Sequence, residues 1–183
     1  DLAEARLAAA ECAVGGPEPD LAFARAQLDA LTAEPEKSAA LGQPRIALLK
    51  LHIEDQSGDS ANAILTASSI IESHPEDPAA AEATLVLGRN YFQTQKYNPA
   101  RIAFEKVAAS ETKNPDRAQA AWLLAAQSGA LVSTLPSRQE ALVLFDNAIK
   151  LPGPLSSVAR LEKSRLLIDM NQVQEAIDSL RKW

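Results

Sequence analysis

The chain has 183 residues, enough for one compact domain or one short solenoid of repeated units. Its net charge of −6 disfavours nucleic acid as a partner, because phosphates need a basic face, and no apolar run approaches the roughly 18 residues that span a bilayer. Aromatic residues make up only 4% of the sequence and alanine is its commonest residue, a composition typical of closely packed helices.

Apolar residues recur at helical spacing along the chain, and the sequence lacks the alternation of apolar and polar residues that is typical of strands. Two helices are predicted first, over residues 1–13 and 19–33, and the segment 35–44 is either a linker or a helical extension. Proline cannot continue a helix, so turns between units are predicted at Pro35, Pro75, Pro115 and Pro152. We therefore expect ten antiparallel helices in five hairpins and almost no sheet.

Several polar residues stand where a predicted helix begins, and each is expected to cap that helix. These residues are Asp59 or Ser60, Asp77, Asn98 before Pro99, Asn114, and Ser137 with Glu140 as a capping box.

The passage 81–110 reads as one complete hairpin with two amphipathic helices and a tight turn. It resembles the tetratricopeptide repeat (TPR) family and looks like a bacterial TPR-like protein. The pair Leu87-Gly88, Tyr91, Ala100 and Phe104 stand at the family's spacings. This sequence has threonine at position 84 and glutamine at position 95, where the family often has tryptophan and glycine.

The second-helix pattern of this hairpin recurs five times as a small residue followed by apolar residues four and seven positions later. We call the small residues the signature alanines: Ala24, Ala63, Ala100, Ala141 and Ala176. Subtraction gives spacings of 39, 37, 41 and 35 residues, mostly longer than the family's unit of about 34, and the extra residues are expected in loops. The resemblance implies an all-α, right-handed α-solenoid of about five hairpins. Residues 1–43 would form a degenerate hairpin and linker, and 44–183 the repeats 44–77, 78–115, 116–153 and 154–183.

The sequence contains few patterns that are typical of catalytic, metal-binding or phosphate-binding sites. The sequence lacks a phosphate-binding glycine loop, and His52 and His74 do not have metal-ligand spacing. Glu54, Asp55 and Asp59 lack the ligand series of a calcium loop. We therefore expect no catalytic residue, no metal and no cofactor.

Stacked hairpins of this type form a groove lined by the first helix of each unit, and the resemblance implies that a partner peptide lies along it. The implied groove residues are Leu85, Arg89, Phe92, Gln93, Leu123, Gln127, Leu131, Leu161, Arg165 and Ile168. Leu85 stands where a carboxylate clamp needs lysine, so that mode is not expected. Arg89 and Arg165 either meet an acidic partner or are solvated, and Phe92 either packs between helices or contacts the partner.

The sequence thus predicts a non-catalytic scaffold that binds a partner protein or peptide, without nucleic acid and without membrane insertion. Two alternatives stay open: a structural subunit of a permanent, envelope-associated complex, and a docking arm of a larger enzyme. By analogy the resemblance favours a periplasmic or envelope location over the cytoplasm. The first residue is Asp and Trp183 falls in an apparently unfinished helix, so we expect a processed chain or a fragment, with Trp183 only partly covered.

Overall fold

A computed structural model describes residues 2–38 and 41–181, and every regular element within these ranges is a helix. The helices are α1 (Leu2–Gly15), α2 (Leu21–Thr32), α3 (Pro35–Ser38), α4 (Gln43–Gln56), α5 (Ser60–Ser73), α6 (Pro78–Gln93), α7 (Tyr97–Ser110), α8 (Pro115–Leu131), α9 (Leu135–Lys150), α10 (Ser156–Asp169) and α11 (Val173–Arg181).

Ten of these helices are long, and they follow one another as the hairpins α1/α2, α4/α5, α6/α7, α8/α9 and α10/α11. The all-helical solenoid of hairpins predicted from the sequence is confirmed. The uncertain segment 35–44 contains the single helical turn α3 and the start of α4, while residues 39 and 40 lie outside the described ranges. None of the described helices is both long and apolar enough to cross a membrane.

One turn geometry recurs in three hairpins. Gly58, Gln95 and Asn171 have φ values of 75°, 60° and 60°, which place them in the left-handed region. In each turn the next residue's N–H donates to the carbonyl five positions earlier: Asp59 to Glu54 at 3.0 Å, Lys96 to Tyr91 at 2.8 Å, and Gln172 to Leu167 at 2.8 Å. This is the Schellman arrangement that ends a helix. Each turn residue lies five positions before a signature alanine, so the repeat is present in the backbone as well as the sequence.

The signature alanines are all buried, with exposed fractions between 0 and 2%. The apolar residues four and seven positions later are also buried in four of the hairpins: Leu28 and Leu31, Ala67 and Ile70, Phe104 and Val107, Phe145 and Ala148. In the fifth hairpin Leu180 is 37% exposed, and Trp183 lies outside the described residues. Gly88 of the family's leucine-glycine pair is buried as well.

The chain divides into two compact units, Asp1–Asn90 and Tyr91–Trp183. In unit 1, helix α4 contributes to two hydrophobic clusters. Leu49 and Ile53 pack with α1 and α2 residues such as Leu7, whereas Leu51 packs with Ala63 of α5 and Val86 of α6. Because α4 is apolar on two sides, it packs in both clusters and connects the neighbouring hairpins of unit 1.

In unit 2, helix α8 packs between α7 and α9. A Cβ on Gly129 of α8 would lie 3.2 Å from the Arg101 Cδ of α7 and 3.3 Å from the Ala141 Cβ of α9, so glycine permits the close approach of these helices. Gln119, which is fully buried, ties α8 to the α9–α10 connection. Its Nε2 donates at 2.9 Å to the carbonyls of Ala148 and Leu151, so the buried amide is satisfied.

The predicted capping residues can be compared with the observed first residues of the helices. Asp59, Asp77 and Asn114 accept backbone hydrogen bonds at the starts of α5, α6 and α8, as predicted. The prediction is wrong for Asn98, because the Schellman turn through Gln95 starts α7 at Tyr97.

Ser137 is also not an N-cap. Helix α9 starts at Leu135, with Pro136 in its first turn, and Ser137 Oγ instead accepts a hydrogen bond from Thr134 Oγ1 at 2.8 Å. The four predicted turn prolines lie between hairpins or at the first residue of the next helix. Pro75 and Pro152 are in connections, whereas Pro35 and Pro115 begin α3 and α8.

Candidate functional site

Unit 2 contains a cavity of about 410 Å³ between α8 and α10, with α9 behind it and the end of α6 beside it. We call it the α8–α10 cavity. Its lining residues are Phe92, Gln127, Ala130, Leu131, Arg138, Phe145, Glu162, Arg165, Leu166 and Asp169. Helices α8 and α10 are the first helices of consecutive hairpins, which is the class of helix expected to line a groove.

Four of the ten predicted groove residues meet in this cavity: Phe92, Gln127, Leu131 and Arg165. Leu161 and Ile168 stand on α10 with 42% and 54% of their surface exposed, outside the cavity lining. Gln93 is exposed at the end of α6.

Leu123 is placed differently from the remaining predicted residues of unit 2. Its exposed fraction is only 6%, so its side chain belongs to the core of unit 2. A partner has no access to such a side chain. Leu123 was predicted to line the groove because it stands four residues before Gln127, on the same side of α8. A helix that is buried on several sides exposes only a narrow stripe of residues, and the buried Leu123 is not in that stripe.

The apolar part of the cavity contains both buried side chains and side chains that a partner can reach. Phe145 is 1% exposed and forms part of the wall, whereas Leu131 is 50% exposed. The Phe92 ring meets Tyr97 edge to face, with centroids 5.5 Å apart and an interplanar angle of 69°. Phe92 therefore packs against Tyr97 of the next helix and also lines the cavity, and its contact with a partner stays a prediction.

The charged part of the cavity contains two arginines and two carboxylates, which are formally balanced. Arg165 is exposed and donates to Glu162 Oε1 at 3.3 Å, one helical turn away. Arg138 is half-buried, and its Nε is fully buried without a hydrogen-bond partner among the described residues. An unmatched buried donor is uncommon and costly.

Arg138 was missed by the sequence analysis, which considered only first helices as groove-forming. One local signal points to it. Arg138 lies in the first turn and a half of α9, where the helix dipole disfavours a positive charge. A basic residue in that place calls for an explanation other than helix stability.

Unit 1 has a cavity of similar volume, about 410 Å³, between α1 and α4, with Arg89 of α6 at its edge. Its charges are already matched. Arg89 donates to Asp55 at 3.0 Å, and Arg45 binds Glu11 through two nitrogens at 2.8 and 2.7 Å. Leu85 is half-buried on α6 and does not line this cavity.

The second helices carry exposed apolar residues at one repeat position. Leu65, Ile102 and Val143 are 68%, 56% and 59% exposed, and each stands two positions after a signature alanine. In unit 2, Val143 lines a second cavity of about 590 Å³ formed with α10 and α11, next to the Lys163–Asp146 ion pair at 2.7 Å. Accessible apolar surface therefore exists outside the α8–α10 cavity.

Comparisons with known proteins identify the fold class. No family model matches the sequence, and no curated protein matches it. A solved structure titled "MamA AMB-1 C2221" is similar to the chain with a TM-score of 0.69 and 19% sequence identity, over 100% of this chain and 97% of that one. MamA is TPR-like, so the chain is similar in fold to TPR-like helical proteins.

Proposed function

We propose that this chain is a non-catalytic scaffold that holds a segment of a partner protein in the α8–α10 cavity. The observation that carries the proposal is the meeting of Phe92, Gln127, Leu131 and Arg165 around one cavity. These residues come from three hairpins and were selected by repeat position alone. The similarity in fold to a TPR-like protein supports a role in protein interaction.

The chemistry of the cavity suits a protein segment. Protein interfaces combine a buried apolar centre with a polar rim and concentrate binding energy in a few aromatic, aliphatic and arginine contacts. Here Leu131 and Phe92 offer an apolar centre, and Gln127 and Arg165 offer polar groups beside it. A partner side chain that enters this cavity removes apolar surface from water on both sides.

Site-specific photo-crosslinking tests the proposal. A photoreactive amino acid replaces Leu131 in one version of the chain and Val143 in another, since these two residues of unit 2 are 50% and 59% exposed. Each version is expressed in the native organism, irradiated, and its adducts are identified by mass spectrometry. We expect Leu131 to give a discrete protein adduct that Val143 does not give. Adducts from Val143 alone would place the interface on the second helices and refute the proposal.

A second candidate function is a structural subunit of a permanent complex. The recurring exposed residues Leu65, Ile102 and Val143 favour it, because permanent interfaces bury more apolar surface than transient ones. The two candidates differ in the behaviour of the isolated chain. A permanent subunit should copurify with its partner at constant ratio through high salt, whereas a scaffold that exchanges partners should be recovered alone after dilution.

A further inference from the structure

We infer that the α8–α10 cavity selects partner segments in which an acidic side chain stands beside an apolar anchor, and that Arg138 is the specificity-determining contact for the carboxylate. This inference rests on the proposed function and adds the chemistry of the partner. The geometry that carries it is an arginine without a carboxylate partner among the described residues, in a cavity that apolar side chains also line.

The contrast with the other arginines supports the choice of Arg138. Arg45 is matched by Glu11 and Glu4, Arg89 by Asp55, and Arg165 by Glu162. Among the described residues, Arg138 makes no such ion pair, and its Nε is shielded from water. Because the chain offers no acceptor to this guanidinium, its charge is uncompensated, and a partner's carboxylate that reaches the cavity side of Arg138 gains more there than at an arginine that must first release its own carboxylate.

The neighbouring charges indicate which acceptor fits. Arg138 shares the cavity with Glu162 and Asp169, and Arg165 is already engaged by Glu162. A group with a single negative charge is accommodated by one free guanidinium. A doubly charged phosphate would meet two carboxylates as well, and their repulsion disfavours it. A side-chain carboxylate of aspartate or glutamate therefore matches the site better than a phosphorylated residue.

The apolar wall supplies the other half of the recognition element. Phe92, Leu131 and Leu166 line the same cavity as Arg138, and Leu131 is half exposed. A partner that places a leucine or phenylalanine against them shields the arginine–carboxylate pair from water. A shielded pair is stronger than one at the surface.

The test uses a phage-displayed library of 12-residue peptides selected on the full chain. Selected peptides are synthesised as pairs in which each acidic residue is either retained or replaced by its amide, and their binding is measured by fluorescence anisotropy. We expect an amide at one position to weaken binding to the wild-type chain about tenfold, a typical effect for a charge-assisted hydrogen bond. On Arg138→Gln the acidic and amide peptides should bind equally.

Arg181→Gln is the matched control, because Arg181 is an exposed arginine of α11 that does not line the cavity. It should keep the full preference for the acidic peptide. Equal binding of both peptides to the wild-type chain, or a preference that survives Arg138→Gln, would overturn the role of Arg138. A phosphoserine version that binds more tightly than the glutamate version would overturn the choice of carboxylate.

Failure of the proposed function has a different signature. Leu131→Asp should abolish binding of every selected peptide if the cavity is the site. Peptides that bind the Leu131→Asp variant as tightly as the wild-type chain bind outside the cavity. A library from which no peptide is enriched shows that the cavity does not hold short segments. Either result refutes both the scaffold proposal and this inference. Peptides that lose binding on Leu131→Asp but ignore acid-to-amide exchange refute the inference alone. Thermal unfolding of each variant shows whether it is folded.

Discussion

Individual residues fix the turns of this solenoid. Gly58, Gln95 and Asn171 hold left-handed backbone at equivalent places in three hairpins, although only the first is glycine. Asparagine tolerates this region better than most residues, whereas glutamine has no such advantage. The turn through Gln95 is therefore the most strained of the three.

Gln95→Gly should stabilise the chain. Removing the side chain relieves left-handed strain of about 1–2 kcal/mol, and the greater freedom of glycine in the unfolded chain offsets about 0.5–1 kcal/mol of that gain. We expect a net gain of roughly 0.5–1 kcal/mol in the free energy of unfolding, measured by urea titration. Asn171→Gly is the control and should gain less. A destabilised Gln95→Gly would show that the side chain contributes more than the backbone strain costs.

Gly153 is required by the buried amide of Gln119. A Cβ at position 153 would overlap Gln119 Oε1, and Gln119 cannot move without losing its hydrogen bonds to the α9–α10 connection. Gly153→Ala should therefore cost about 1–3 kcal/mol of stability, as overpacking does.

Gly15→Ala is the matched substitution, because a Cβ at Gly15 meets no other atom within 4 Å. It should be neutral or stabilising in the same urea titration, since alanine has the higher helix propensity at the end of α1. Similar losses at both glycines would mean that backbone freedom, not the contact with Gln119, sets the cost.

Residue-level prediction from the sequence was uneven for a physical reason. The signature alanines follow a periodic pattern, and burial by helix packing obeys the same period, so all five are found in the core. Leu123 and Arg138 depend on which sides of α8 and α9 are covered, and that is decided by neighbouring helices distant in sequence. Periodicity within one helix does not contain this information.

At the scale of elements, the second helices are built around their central apolar residue. Phe104 of α7 is 1% exposed and is among the largest fully buried side chains. Phe104→Ala should leave a cavity and cost roughly 3–5 kcal/mol. Phe23→Ala on α2, where the ring is 43% exposed, should cost much less. Urea unfolding of both variants checks the comparison, and equal losses would mean that the repeat register of α7 is wrong.

The start of α5 is sensitive to pH. Hydrogen bonds from the Asn62 side chain and backbone hold the pKa of Asp59 below its usual range. A lowered pKa in the folded state means that the stabilisation is present above the unfolded pKa of about 3.9 and is lost as the pH falls through the folded value.

We therefore expect Asp59→Asn to lower the melting temperature at pH 7 and to approach the wild-type value as the pH falls below about 4. Asp29→Asn removes the same charge from an exposed position of α2 that caps no helix, and it is the control for the loss of a surface carboxylate. A difference between wild type and Asp59→Asn that stays constant from pH 7 to pH 3 would contradict a charged cap.

Helix boundaries were predictable where a polar cap and a proline coincide, as at Asp77 before Pro78 and Asn114 before Pro115. They were mispredicted at α7 and α9. There the backbone turn through Gln95 and the position of Pro136 set the first helical residue, and a nearby polar side chain did not. The sequence contains competing start signals, and only the geometry of the preceding helix end decides between them.

At the scale of the whole molecule, the repeated hairpin explains why an alanine-rich chain with few aromatic residues folds. Small residues permit close helix approach, and within each unit neighbouring helices of successive hairpins pack against one another, so stability accumulates by stacking. The same repetition leaves cavities between successive first helices in both units. In unit 1 the charged groups there are paired, whereas in unit 2 Arg138 is unmatched, which is why we assign recognition to unit 2.

The most direct test of this account is calorimetric titration of the chain with the protein crosslinked through position 131. Phe92→Ala combined with Leu131→Asp should weaken binding by about 30-fold or more, equivalent to the roughly 2 kcal/mol of an interface hot spot, while circular dichroism shows a folded chain. Val143→Asp, which changes a similarly exposed residue in the cavity formed by α9, α10 and α11, should leave the affinity unchanged. Unchanged affinity in the folded double variant, with binding lost in Val143→Asp, would contradict the assignment of the α8–α10 cavity as the binding site.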